Sequence, residues 1–142
     1  MKFEVIIFLL LFSTVLLGDS YNKLVNAIRH NNYNSVQKVL EENVDVNKTK
    51  WGVTPLYIAV HFDRCEMILP LIKKGADINV VMGSKKRTPL HKAVSKGNVS
   101  IVRVLVEAGA DVTIPNKYGK TAIEEAQESG YEEIVQILAN QH

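Results

Sequence analysis

His61 and Cys65 stand four residues apart. On one continuous helix this spacing gives a shared face, the minimum geometry for two metal ligands or for a thiolate beside its base. Cys65 is the single cysteine, which excludes an intramolecular disulfide framework and a multi-cysteine zinc site and leaves only pairing between chains. The chain shows no Ser/His/Asp order, no glycine-rich phosphate cradle and no paired acids apart from a run near the C-terminus. No catalytic residue, metal site or cofactor is expected. Two N-x-S/T sequons, at Asn47 and Asn98, are candidate glycosylation sites if the chain passes through a secretory lumen.

Charge carries more information than nucleophiles do. A formal net charge of +2 over 142 residues argues against a strongly basic nucleic-acid binder. Its distribution is uneven. Segments 46–53, 79–87 and 113–120 contain Lys48, Lys50, Lys85, Lys86, Arg87, Lys117 and Lys120 and no Asp or Glu, while the rest of the chain beyond residue 20 holds nine Lys or Arg against thirteen Asp or Glu. Trp51 and Tyr118 lie within the basic segments and Val53 closes the first. Tryptophan, tyrosine and arginine are the residues most often found as interface anchors.

These side chains must be held by elements, and internal repetition supplies them. Thr54-Pro55-Leu56 recurs 34 residues later as Thr88-Pro89-Leu90 and, degraded, a further 33 later as Thr121-Ala122-Ile123. Gly75-Ala76-Asp77-Ile78-Asn79 recurs at 34 residues as Gly109-Ala110-Asp111-Val112-Thr113. An earlier copy places Asn22, Leu24, Ala27 and Asn43-Val44-Asp45-Val46-Asn47 in the same slots, giving four copies in all. Thr54 and Thr88 are expected to N-cap short helices with Pro55 or Pro89 at the first position, and Asn22 to cap the first copy likewise. Gly97 and Gly130 are placed to end such helices. Second helices follow, with apolar faces such as Met67, Ile68, Leu71 and Ile72, or Ile101, Val102, Leu105 and Val106. Pro70 falls inside one of them, so a late start or a kink is expected there.

The Thr-Pro-Leu-His run, the small alanines and the Gly-Ala-Asp segments resemble the ankyrin repeat family over residues 21–142. That resemblance implies an all-α fold, a solenoid of stacked helix-turn-helix pairs joined by hairpin-like fingers, with repeats at about 21–50, 51–83, 84–115 and 116–142. It implies a structural role for His91 and a non-catalytic binding module. It also implies a concave surface carrying Arg29 and His30, His61 and Phe62, Ser95 and Lys96, and Glu128 and Ser129. Asp63-Arg64 replaces the family's usual glycine followed by histidine or asparagine, so a strained turn is expected; the glutamates from Glu124 to Glu133 suit a solvent-facing cap.

Val5 to Leu17 is an uncharged apolar run followed by Gly18-Asp19-Ser20, which reads as a secretory signal over residues 1–20 cleaved after Ser20 or Gly18. The expectation is a secreted, monomeric protein whose fingers and concave face bind an acidic partner protein. The contact set is Lys48, Lys50, Trp51, Val53, His61, Phe62, Lys85, Lys86, Arg87, Lys96, Lys117, Tyr118 and Lys120. The alternatives are an anionic membrane or glycan binder using the same ridge, and a membrane-tethered adaptor whose N-terminal segment stays uncleaved.

Overall fold

A computed structural model describes residues 20–141, so the apolar run read as an export signal lies outside the described residues. Helix covers 20–29 (α1), Tyr33–Glu41 (α2), Pro55–His61 (α3), Cys65–Lys73 (α4), Pro89–Ser95 (α5), Val99–Glu107 (α6), Ala122–Ser129 (α7) and Glu132–Ala139 (α8). Among the described residues there is no named strand, only isolated antiparallel bridges between Lys50 and Val53 and between Met82 and Arg87. The helices form consecutive pairs. Inner helices α3, α5 and α7 pack in one layer, and α2, α4, α6 and α8 in a second. This is the all-α ankyrin repeat solenoid.

Local chemistry explains the starts and stops. The Thr54 and Thr88 hydroxyls accept hydrogen bonds from the Tyr57 and His91 amides, both at 3.3 Å, with proline at the first helical position. Asn98 caps α6 by accepting from the Ile101 amide at 3.1 Å. Gly97 and Gly130, at φ 64° and 72°, close α5 and α7 in the left-handed region that glycine enters without a Cβ clash. Asp63 does the same work at φ 58° without glycine. Its carboxylate is engaged, accepting from Lys96 Nζ at 2.6 Å and Asn98 Nδ2 at 2.9 Å.

The apolar faces become one continuous core. Ile28, Leu56, Met67, Ile68, Leu71, Leu90, Ile101 and Leu105 are completely shielded, the first from the first pair and the others from the next two pairs. A single pair cannot enclose such side chains, so each repeat is stable only against its neighbours. His91 ties this stack laterally. Its Nδ1 accepts from the Thr88 amide at 3.4 Å, which leaves the proton on Nε2 to be donated to the Lys120 carbonyl at 3.1 Å.

Three expectations are corrected. Asn22 does not cap α1, because the helix already covers residue 20; its side chain instead accepts from Lys50 Nζ at 3.3 Å. Helix α4 starts at Cys65 and continues through Pro70 to Lys73, so of the two accommodations expected for Pro70, a late start or a kink, the late start does not occur. Glu125 leaves the solvent-facing cap and turns inward, 8% exposed, to meet Arg87 and Asn116.

Candidate partner-binding surface

The first finger is a tight hairpin. Lys50 and Val53 exchange backbone hydrogen bonds at 3.4 and 3.3 Å around Trp51 and Gly52, whose φ values are 61° and 68°. Two successive positive φ angles describe a type I′ turn, a geometry that Asn-Gly suits and a bulky residue does not. The turn holds the indole out, 91% exposed. The finger's base is anchored by Tyr21, whose hydroxyl donates to the Val53 carbonyl at 3.0 Å and accepts from the Lys50 amide at 3.2 Å.

The second and third fingers are joined to each other. The Lys117 amide donates to the Lys85 carbonyl at 3.0 Å, which brings Lys85, Lys86 and Lys117 together at the exposed edge. Lys117 also lies over the ring of Tyr118, 5.3 Å from its centroid. Asn116 shapes the third finger by accepting from the Tyr118 and Lys120 amides at 2.8 and 3.1 Å.

Three cations of the expected contact set, two from the finger ridge and one from the concave face, serve the fold. Arg87 Nη2 donates to Glu125 Oε1 at 3.0 Å, Lys120 pairs with Glu128 at 2.5 Å, and Lys96 pairs with Asp63. Lys48, Lys85, Lys86 and Lys117 have no ion pair among the described residues. Sequence separation hides these pairings: Arg87 and Glu125 lie 38 positions apart, so charge counting along the chain cannot match them.

His61 and Phe62 stand at the end of α3 beside finger one. Their rings meet edge to face at 4.9 Å, and the Arg29 guanidinium sits 5.7 Å from the Phe62 centroid. A groove of about 500 Å³ runs between α1, α3 and the finger, and it gathers Lys50, Trp51, Val53, His61 and Phe62 with Arg29. Burial holds the His61 pKa below its ordinary value, and Lys92, Lys96 and Arg29 add to this against Asp63. Lys92 was not singled out by sequence reasoning. Burial lowers its pKa, with Lys96, Arg87 and Lys85 reinforcing the shift, so a positive field extends along α5. Its position on α5, four residues before the Lys96 that follows the helix end, was the available signal.

The remaining candidates are explained structurally. His61 ends α3 and Cys65 begins α4, so they share no helical face. Burial, aided by Glu66, pushes the Cys65 thiol pKa up, away from a reactive thiolate. Among the described residues no group of three or more His, Cys, Asp or Glu gathers around a metal-sized site. Both sequon amides are engaged: Asn47 Nδ2 donates to the Gly75 carbonyl at 2.8 Å while its Oδ1 accepts from the Asp77 amide at 2.7 Å, and Asn98 Nδ2 donates to Asp63. Asn79 repeats the inter-repeat link by accepting from the Asp111 amide at 2.8 Å. Among the described residues no helix is long and apolar enough to cross a membrane.

Comparison with known proteins agrees with this architecture. The family described as ankyrin repeats (3 copies) matches residues 3–82 and 81–142. The chain is 40% identical over 104 residues to BRCA1-associated RING domain protein 1 of Caenorhabditis elegans, covering 73% of this chain and 15% of that protein. It is 35% identical over 117 residues to the putative palmitoyltransferase ZDHHC13 of Danio rerio, covering 78% and 18% respectively. It is also 35% identical over 115 residues to alpha-latrotoxin-Lg1a of Latrodectus geometricus, covering 79% and 8%. The chain thus spans less than a fifth of the length of each of these relatives. Ankyrin repeats are generally a non-catalytic protein-interaction module. With its capped helix pairs, inter-repeat asparagine links and matching family profile, this chain belongs to the ankyrin repeat family.

Proposed function

We propose that the protein is exported and uses its fingers and concave face to hold the acidic surface of a partner protein, acting as a modulator, inhibitor or scaffold. The observation that carries this reading is Trp51, almost wholly exposed on the strained turn of finger one, together with Lys48, Lys85, Lys86 and Lys117, finger lysines with no ion pair among the described residues. The lysines steer association and set its salt dependence, while the indole supplies contact area. Export rests on the apolar run from Val5 to Leu17. Cleavage falls after Ser20 or after Gly18, and only the second cut keeps the Ser20 hydroxyl that donates to Glu42 Oε2 at 3.2 Å.

Expression of all 142 residues in a secretory host, followed by mass spectrometry of the N-terminus, tests export; a chain beginning at Met1 and fractionating with membranes overturns it. Capture of acidic proteins by the recovered chain at low and high salt tests the surface. Trp51→Ala and Lys85→Glu/Lys86→Glu should each reduce capture, and capture indifferent to salt and to both variants removes the reading. Arg87 is left out of the variant set because its loss would disturb the fold.

A further inference from the structure

Building on that reading, we propose that the groove between α1, α3 and finger one takes an extended partner segment with an apolar centre and a carboxylate toward each end. The groove is a trough with matched walls. Val25, Asn26 and Arg29 on α1 face Ile58 and His61 on α3 and Phe62 just past its end, and Trp51 closes the finger end. Lys50 lies at that end and Arg29 beside Phe62 at the other, so cationic groups bracket an apolar floor. Tyr21 to Arg29 covers eight residues of helix rise, about 12 Å at roughly 1.5 Å per residue. An extended chain advances about 3.3 Å per residue, so the trough matches roughly four residues. Its volume, about 500 Å³, falls within the range of small ligand sites.

Trp51 is the strongest sign that the trough is meant to be covered. A non-glycine residue at φ 61° costs backbone energy, and this one displays its ring to solvent rather than packing it within the fold. Unlike Lys86, which is also exposed at positive φ, Trp51 stands at the mouth of the trough, where a bound segment would cover its ring. The trough also favours a peptide over a flat anionic surface. A bilayer can meet the indole at the finger tip, but it does not reach Val25 and Ile58, which are buried on the floor.

The single tryptophan makes the test direct. The chain recovered from expression of all 142 residues is titrated with a capped hexapeptide of sequence Gly-Asp-Leu-Phe-Glu-Gly while the fluorescence of Trp51 is followed. A saturable blue shift is expected, at least tenfold weaker when Leu-Phe is replaced by Gly-Gly or when both acids are replaced by lysine. Arg29→Glu and Phe62→Ala, checked for intact helicity, should each weaken binding at least fivefold, whereas Lys85→Glu/Lys86→Glu should change it less than twofold. The inference is overturned by no saturable shift, by an equal response to the Gly-Gly peptide, or by indifference to both groove variants. It is also overturned if phosphatidylserine vesicles shift the emission and the peptide does not. Peptide failure with persisting finger-dependent capture of acidic proteins removes the groove and leaves the broader reading standing; failure of both removes both.

Discussion

Arg87 and Glu125, 38 positions apart, meet at 3.0 Å across the interface between the third and fourth repeats. The Glu125 side chain is 9% exposed and also accepts from Asn116 Nδ2, while Arg87 retains partial access to solvent. Removing one member of a shielded pair leaves the other uncompensated, at a cost of about 3 kcal/mol, less where water still reaches the site. Arg87→Ala is therefore expected to destabilise the fold by about 2 kcal/mol in urea denaturation followed by circular dichroism. Arg87→Met/Glu125→Gln, which removes both charges and keeps an acceptor for Asn116 Nδ2, should recover most of the loss. Lys85→Ala, two residues earlier on the exposed edge, should stay within about 0.5 kcal/mol of the parent.

Trp51 predicts a trade between stability and binding. Asparagine tolerates the left-handed region far better than tryptophan, and the indole makes little contact inside the fold that its removal would forfeit. Trp51→Asn should raise unfolding free energy by about 0.5 to 1 kcal/mol. Calorimetric titration of the same variant with the acidic hexapeptide should show at least a tenfold loss of affinity. A variant that is both less stable and equally tight would show that the indole packs for the fold.

His61 gives two pH dependences of opposite sign. Its neighbours are Arg29 from α1, Lys92 and Lys96 from α5, and Asp63 on its own turn, and its pKa lies below 6.5. The unfolded chain therefore binds a proton more readily than the folded one, so His61 costs stability as pH falls through 6.5 toward its folded value. A carboxylate in the groove reverses the preference by favouring the imidazolium. Peptide affinity should thus rise as pH falls from about 7.5 to 5.5, while the acids of the ligand, near pKa 4, remain ionised. His61→Gln should flatten both slopes, measured by thermal unfolding and by titration across that range.

Gly97 is fixed by space as well as by φ. A Cβ added there would lie 3.0 Å from Tyr131 Cζ and 3.3 Å from its hydroxyl, on a backbone at φ 64°. Gly97→Ala should cost more than about 1 kcal/mol in chemical denaturation, because left-handed strain and displacement of the tyrosine act together. Gly119→Ala, also at positive φ but with nothing near the added Cβ, isolates the backbone contribution and should cost less.

The fold was legible wherever a residue's role is local. Thr54 and Thr88 cap the helices that follow them, and Met67, Ile68 and Leu71 reach the core, because capping and helical spacing are decided within a few positions. Roles set by a neighbouring repeat were not legible. Glu125 reads as one more surface glutamate until Arg87 is placed opposite it, and Asn22 reads as a cap until the helix is seen to cover residue 20. Pro70 sits in an unbroken helix although its ring argues for a late start. The groove joins residues of α1, finger one and α3, so its outline appears only after stacking, although Trp51, His61 and Phe62 were each visible in the sequence.

The hydrogen bond from the Lys117 amide to the Lys85 carbonyl yokes two fingers into one pad. Among the described residues no backbone hydrogen bond joins finger one to that pad; Asn47 fixes its base to the second repeat and the stretch from Lys48 to Val53 projects beyond. Load placed on either of the paired fingers is therefore shared by both, whereas load on Trp51 passes through the Lys50–Val53 hairpin to Tyr21 and, at the finger's base, to Asn47.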